Sequence, residues 1–213
     1  MAIKYNPTAD SDATGYVNFL NDNKNGTIFE NAEITLLDNV KQMQIKLNNS
    51  TITISSKADS NYTNLVTLSS GSGDITWGDL VLNQYYYNGL ILSNNGIIFC
   101  VYISSFIHYF AIVVDSNNKL SFIYGTNTLE STQENITVGV SISSINQNPI
   151  TLTPQYNSTI TSLAFITPTT GYNNIYFPNA YVAVATQLPG TGMYIVTIND
   201  TVYITNGIWY IPD

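Results

Sequence analysis

The chain has 213 residues, 44% of them hydrophobic and only 9% charged, with a formal net charge of −8 and no Arg among its six basic residues. That much apolar content does not fit a disordered chain, which combines low hydrophobicity with high charge. A chain without Arg or a cluster of Lys cannot neutralise a run of phosphates, so no nucleic-acid partner and no anionic membrane partner is expected.

Met1 to Gly26 is polar and turn-rich, broken only by the apolar patch Tyr16-Val17-Asn18-Phe19-Leu20. It reads as an N-terminal arm or edge segment, residues 1–26, with room for one short helix. Its first twelve residues have no apolar h-region, so no secretory signal is expected. Work outside a cell would then need another route, such as lysis or assembly into a particle.

From Thr27 the pattern turns to alternation. Met43, Ile45 and Leu47 alternate with Gln42, Gln44 and Lys46, and Thr51 to Ser55 repeats the period after an Asn48-Asn49-Ser50 turn. Period-two alternation means one buried and one wet face, so this pair reads as a hairpin at the side of a sheet. Asn64 to Leu68 predicts a further strand, Ser69 to Asp74 an exposed turn, and Trp77 to Leu82 another strand.

Leu90 to Tyr124 carries the strongest signal. Four runs rich in Ile, Val, Phe and Tyr are Leu90–Leu92, Ile97–Ile103, Phe106–Val114 and Leu120–Tyr124. They are separated by Ser93-Asn94-Asn95-Gly96, Ser104-Ser105 and Asp115-Ser116-Asn117-Asn118. Short β-branched and aromatic runs between Asn, Gly, Asp and Ser clusters predict a β-meander, which we take as the core. Ile97 to Val114 has 18 uncharged residues, about the length of a membrane helix. Ser104, Ser105 and His108 in its middle, and its β-branched content, favour two buried strands instead.

The rest divides into Ile136 to Ile142, again alternating, a crossing segment with Pro149 and Pro154, and a C-terminal region. There Tyr194–Ile198 and Thr201–Thr205 read as a hairpin around Asn199-Asp200, with Asn206-Gly207 turning into Ile208–Ile211. The expected organisation is an arm (1–26), a main β-domain (27–145), a linker or crossing segment (146–170) and a C-terminal β-region (171–213). The fold class is all-β, an antiparallel β-sandwich or barrel-like meander with a small C-terminal hairpin region and very little helix.

Residues able to carry chemistry are sparse. Cys100 is the only cysteine and sits in an apolar run, which fits a buried, inert thiol and leaves no intrachain disulfide. His108 is the only histidine and lies in an apolar strand. Asp74 and Asp79 flank Trp77 as a glycosidase pair would, but solvated turn positions explain them better. Asn21 to Gly26 has oxygen ligands at alternate positions like a calcium loop, yet Asn21 replaces the first Asp and Ala32 the final Glu. No serine has a nucleophile-elbow setting. No catalytic residue, metal site or cofactor is therefore assigned.

Asn135 to Asn199 has no Asp, Glu, Lys or Arg. Charge is depleted and aromatics are enriched at interface cores, so this stretch is expected to carry an inter-subunit contact. Its candidate residues are Tyr156, Phe165, Tyr172, Tyr176, Phe177, Tyr181 and Tyr194.

The low-charge chain, rich in Asn, Thr, Tyr and Ile, resembles virion structural proteins of tailed bacteriophages. Its ending, Asn179-Ala180-Tyr181 through Tyr203-Ile204-Thr205-Asn206-Gly207-Ile208-Trp209-Tyr210, is similar to small tail, baseplate or head-decoration proteins. The resemblance implies a non-enzymatic subunit located in the virion and assembled in the host cytoplasm. Its partners would be copies of itself and other virion proteins, in a homo-oligomer or larger assembly. The alternative is a carbohydrate- or receptor-binding module that reads host-surface glycan through Tyr and Trp. The first test is structural: the far-UV circular dichroism spectrum should be that of a β protein, and a helix-dominated spectrum would overturn the reading.

Overall fold

Strand periodicity and turn chemistry build three packed β layers. The structure is a computed structural model that describes residues 1–6, 13–37, 41–55, 64–69, 74–79, 87–103, 106–125, 136–138, 144–147, 166–169, 179–182, 192–198, 200–206 and 209–213. In chain order the elements begin with β1 (Ile3–Tyr5), α1 (Thr14–Asn23), β2 (Glu33–Leu37), β3 (Gln42–Leu47), β4 (Ser50–Ser55), β5 (Asn64–Ser69) and β6 (Asp74–Asp79). The meander follows as β7 (Tyr87–Leu92), β8 (Ile97–Ile103), β9 (Phe106–Val114), β10 (Leu120–Gly125) and β11 (Ile136–Val138). The remainder is β12 (Ser144–Gln147), β13 (Ile166–Thr169), β14 (Tyr181–Val182), β15 (Tyr194–Ile198), β16 (Thr201–Thr205) and β17 (Trp209–Pro212). The fold is all-β and sandwich-like, and among the described residues its antiparallel sheets form no closed barrel.

The central layer is a six-stranded sheet in the order β1-β7-β8-β9-β10-β11. At its centre, in strands β7 to β9, it is buried on both faces. Leu90, Leu92, Ile97, Phe99, Val101, Phe110 and Ile112 point into one core, while Ile91, Ile98, Cys100, Tyr109, Ala111 and Val113 point into a second. A sheet covered on both sides needs apolar residues at every position, which is why these strands read as unbroken hydrophobic runs. Phe99 and Phe110 are register partners in the first core, stacked with ring centroids 5.0 Å apart. Such a pair adds about 0.5–1.5 kcal/mol beyond the area it buries.

The first core is closed by a five-stranded sheet in the order β2-β3-β4-β5-β6. The hairpin β3–β4, expected at the side of a sheet, is its centre. Here alternation is genuine: Met43, Ile45, Leu47, Ile52 and Ile54 are buried. On the other face Gln42 Nε2 donates to Ser55 Oγ at 3.0 Å and Gln44 Nε2 to Thr53 Oγ1 at 3.2 Å, each across the β3–β4 ladder. The expected strand Trp77–Leu82 begins three residues earlier, at Asp74, because β6 pairs with β5 from Ser69↔Asp74 onward.

Within the segment 1–26, expected to form an arm or edge segment, the described residues 1–6 and 13–26 pack on their own chain. Strand β1 pairs with β7 through Ile3↔Leu92 and Tyr5↔Leu90. Helix α1 has no side-chain cap and is rich in Asn, a weak helix former. Tertiary packing holds it: Tyr16, Val17 and Leu20 are buried. Tyr5 meets Tyr16 edge-on at 5.2 Å and stacks on Phe19 at 5.0 Å, and Tyr16 lies 6.4 Å from Phe99. A Cβ on Gly15 would collide with the Tyr5 hydroxyl, so this close approach requires glycine.

The turns follow the sequence. Asn48 and Asn49 both have positive φ (48° and 61°) between the register partners Leu47 and Ser50, the geometry of a two-residue hairpin loop that Asn tolerates. In the β9–β10 loop Asp115 Oδ1 accepts from the backbone N–H groups of Asn117 (2.8 Å) and Lys119 (2.9 Å), and Asn118 takes a φ of 60°. These two loops join the sheets at one end: Asn48 Nδ2 donates to Asn118 O at 2.7 Å, and the buried Ser50 Oγ accepts from Leu120 N at 2.7 Å. Removing the Ser50 hydroxyl leaves the Leu120 N–H buried and unsatisfied. Ser50→Ala should therefore cost about 1–3 kcal/mol in denaturant unfolding, with Thr51→Ala, half-buried on the outer face, as the milder control. Equal effects would show that the joint adds nothing.

Candidate functional site

The third layer is a four-stranded sheet in the order β14-β17-β16-β15. Ile204 and Ile211, register partners on one of its faces, enter the second core beside Ile91, Ile98 and Ala111, with Ala180 and Met193 against them. A Cβ on Gly96 would come within 3.0 Å of Ile211 Cγ2, so the β7–β8 loop is in direct contact with β17. The same loop is tied down by side chains. Asn95 Nδ2 donates to Pro212 O, Asn94 N to Asp213 Oδ1, and Asn179 Nδ2 to Asn95 Oδ1, all at 3.1 Å. Asn94 O also accepts from Ile28 N at 2.8 Å. One Ser-Asn-Asn-Gly turn thus fixes the C-terminal sheet to the central sheet and to the segment that follows α1.

The opposite face of this sheet is organised around tyrosine. Register places Tyr181, Tyr210, Thr205 and Tyr194 in one row across β14, β17, β16 and β15. The next row brings Pro212, Tyr203 and Val196 together. Tyr210 and Thr205 are fully buried, Tyr203 is 5% exposed, and the Tyr203 and Tyr210 rings meet edge-on at 6.3 Å. Exposure grows toward β15, where Tyr194 and Val196 are half-buried. Ile195 lies 45% exposed although its register partner Ile204 is fully buried. The difference is one of position: β15 is the outermost strand of the sheet among the described residues.

Of the expected contact residues, Tyr181 and Tyr194 fall in this sheet and share one row. Tyr156, Phe165, Tyr172, Tyr176 and Phe177 lie outside the described residues. Tyr203, Tyr210 and Ile195 were not singled out in the sequence. The β-strand period predicts that Tyr203 and Tyr210 alternate with their apolar neighbours, but only the register shows that they meet.

The sparse chemical candidates do not converge. Among the described residues no group of three or more His, Cys, Asp or Glu could hold a metal ion. Asn21 and Asn23 belong to the last turn of α1, where their amides donate to Ile34 O (3.0 Å) and Phe19 O (2.8 Å), and Lys24 Nζ donates to Ala32 O. A helix turn with its amide nitrogens committed and an ammonium on the nearby carbonyl does not present a calcium loop's ring of oxygens. Asp74 and Asp79 stand at the two ends of β6, with backbones about 17 Å apart at roughly 3.4 Å per residue. Backbone positions that far apart do not suit a glycosidase pair, whose carboxyl groups lie about 5–10 Å apart. His108 is the register partner of Val101 in the central sheet, and Cys100 is buried at 4% exposure. No helix among the described residues is long and apolar enough to cross a membrane.

No family model matches the chain, and no curated protein and no solved structure matches it either.

Burial raises the Tyr203 phenol above its ordinary value of 10.0, while a hydrogen bond with the Thr201 side chain pulls the other way. A phenol with a raised folded-state pKa contributes stability that is complete below about pH 10 and is lost as pH climbs through the folded value. Tyr203→Phe should thus lose less stability than the native chain when pH is raised above about 10. Parallel pH profiles of the two melting temperatures would contradict a buried, protonated Tyr203.

Proposed function

We propose that this protein is a non-enzymatic structural subunit of a tailed-bacteriophage particle, in the tail, baseplate or head surface, that works through permanent protein–protein contact. The observation that carries the proposal is the 65-residue span from Asn135 to Asn199 without a charged side chain. It ends in the half-open strand β15. Surfaces built from amides, hydroxyls and apolar groups are less costly to desolvate than charged ones, and interface cores are depleted of charge. The all-β architecture and the resemblance of the composition and the chain's ending to small virion proteins support the same reading.

The glycan-binding alternative needs aromatic faces open to a sugar. Tyr203 and Tyr210 are spent on packing instead. Tyr210→Ala should lower stability by about 3–5 kcal/mol, as large aromatic truncations in cores do. Unchanged stability with lost binding to host cell-wall glycans would favour the alternative. The function itself is tested by negative-stain imaging of purified particles with antibody raised against this chain. Label at one defined level of the particle is the expected result, and particles without label would overturn the proposal.

A further inference from the structure

Unpaired sheet edges invite association, and several edge strands among the described residues are blunted. In the central sheet β1 is three residues long and carries exposed Lys4. In the five-stranded sheet β2 is met by α1, whose Asn21 donates to Ile34 O, and β6 has an Asp at each end. At the far side of the C-terminal sheet β14 has only two residues. Short length, Lys, acidic ends and helix cover are the usual protections.

Strand β15 has none of them. Tyr194-Ile195-Val196-Thr197-Ile198 is five residues without charge or Pro, in unbroken register with β16 on one side. Among the described residues no strand lies on its other side. Ile195 and Thr197, on the same face of the strand, are exposed. The backbone chemistry of such an edge is specific: it takes another extended strand.

We propose that β15 pairs antiparallel with β15 of a second copy, across a twofold axis at Val196, joining two four-stranded sheets into one of eight. The proposal rests on the assembly reading above and names its contact. The strand is complementary to itself. Pairing about Val196 sets Val196 against Val196 and Ile195 against Thr197 of the second copy, so β-branched side chains oppose one another, as favourable cross-strand pairs do. Asp200, the nearest charge, faces Gly192 of the second copy rather than another Asp200. Closed twofold dimers are also the commonest form of homo-oligomer.

The register can be tested by charge pairing, because residues 195 and 197 face each other across the axis. Ile195→Lys with Thr197→Lys opposes like charges at both crossings and should weaken association in sedimentation by about tenfold or more. Ile195→Lys with Thr197→Glu opposes unlike charges and should restore it. Both positions are exposed, and melting temperatures report whether each variant folds. Val196→Cys should form an interchain disulfide on mild oxidation, since opposed antiparallel positions fall within disulfide reach. The native chain, with Cys100 buried, and Asn49→Cys at a distant hairpin tip should not.

If the native chain associates but ignores the charge series and Val196→Cys does not cross-link, the β15 contact is wrong while the assembly reading stands. Should the chain stay monomeric at all concentrations and meet only a different protein in the particle, the pairing of like copies is wrong. Pairing through β15 without incorporation into particles would leave this contact standing and overturn the virion reading.

Discussion

The structure depends on a sheet that touches no water on either face at its centre. Strands β7, β8 and β9 supply side chains alternately to two cores, and neither outer layer can bury its apolar face without them. The five-stranded sheet and α1 close one core, and the C-terminal sheet closes the other. With about 25 cal/mol for each Å² of apolar surface removed from water, every residue of Ile97–Val101 contributes to one core or the other. A polar substitution at any of them would leave an unsatisfied group between layers.

Small polar turns decide how these layers meet. Ser93-Asn94-Asn95-Gly96 binds the C-terminal sheet and the segment after α1, while the Ser50 hydroxyl and the Asn48 amide bind the two sheets of the first core. Their contribution is geometric as much as energetic. A hydrogen bond contributes a net 0.5–1.5 kcal/mol or so, but each of these fixes the relative position of elements far apart in sequence. The same residues that signalled turns therefore also serve as the joints of the stack, which suits a chain with few charges to use for that purpose.

How much of this was legible in the sequence follows from the range of each interaction. Strands β8, β9 and β10 could be placed almost to the residue, because Ser104-Ser105 and Asp115–Asn118 interrupt apolar runs sharply. The continuous apolar character of Ile97–Val101 also pointed to a buried strand. The assignment of β3–β4 to the centre of a separate sheet was not legible, since alternation in Met43–Leu47 tells which face is buried but not which strands lie alongside. Helix α1 was hard to place for a similar reason: it is held by Tyr5 and Phe99, residues from other elements, rather than by its own propensity. The same applies to the surface we assign to function. The absence of charge in Tyr194–Ile198 is plain in the sequence, but the position of β15 at the margin of its sheet depends on strand order. The burial of Tyr203 and Tyr210 depends on a register that brings together residues from β14 to β17.

Native-state hydrogen exchange tests the central claim most directly, because it reads the opening free energy of each strand separately. If the doubly covered sheet is the structural centre, the amides of Leu90–Leu92, Ile97–Val101 and Tyr109–Val113 should exchange slowest, through global unfolding. Those of Ile204 and Ile211 should exchange at nearly the same free energy, since the second core is lost only with the sheet beneath it. Exchange of β16 and β17 at a much lower free energy, with the central strands still protected, would mean that the C-terminal sheet opens on its own and that the three layers are not one cooperative stack.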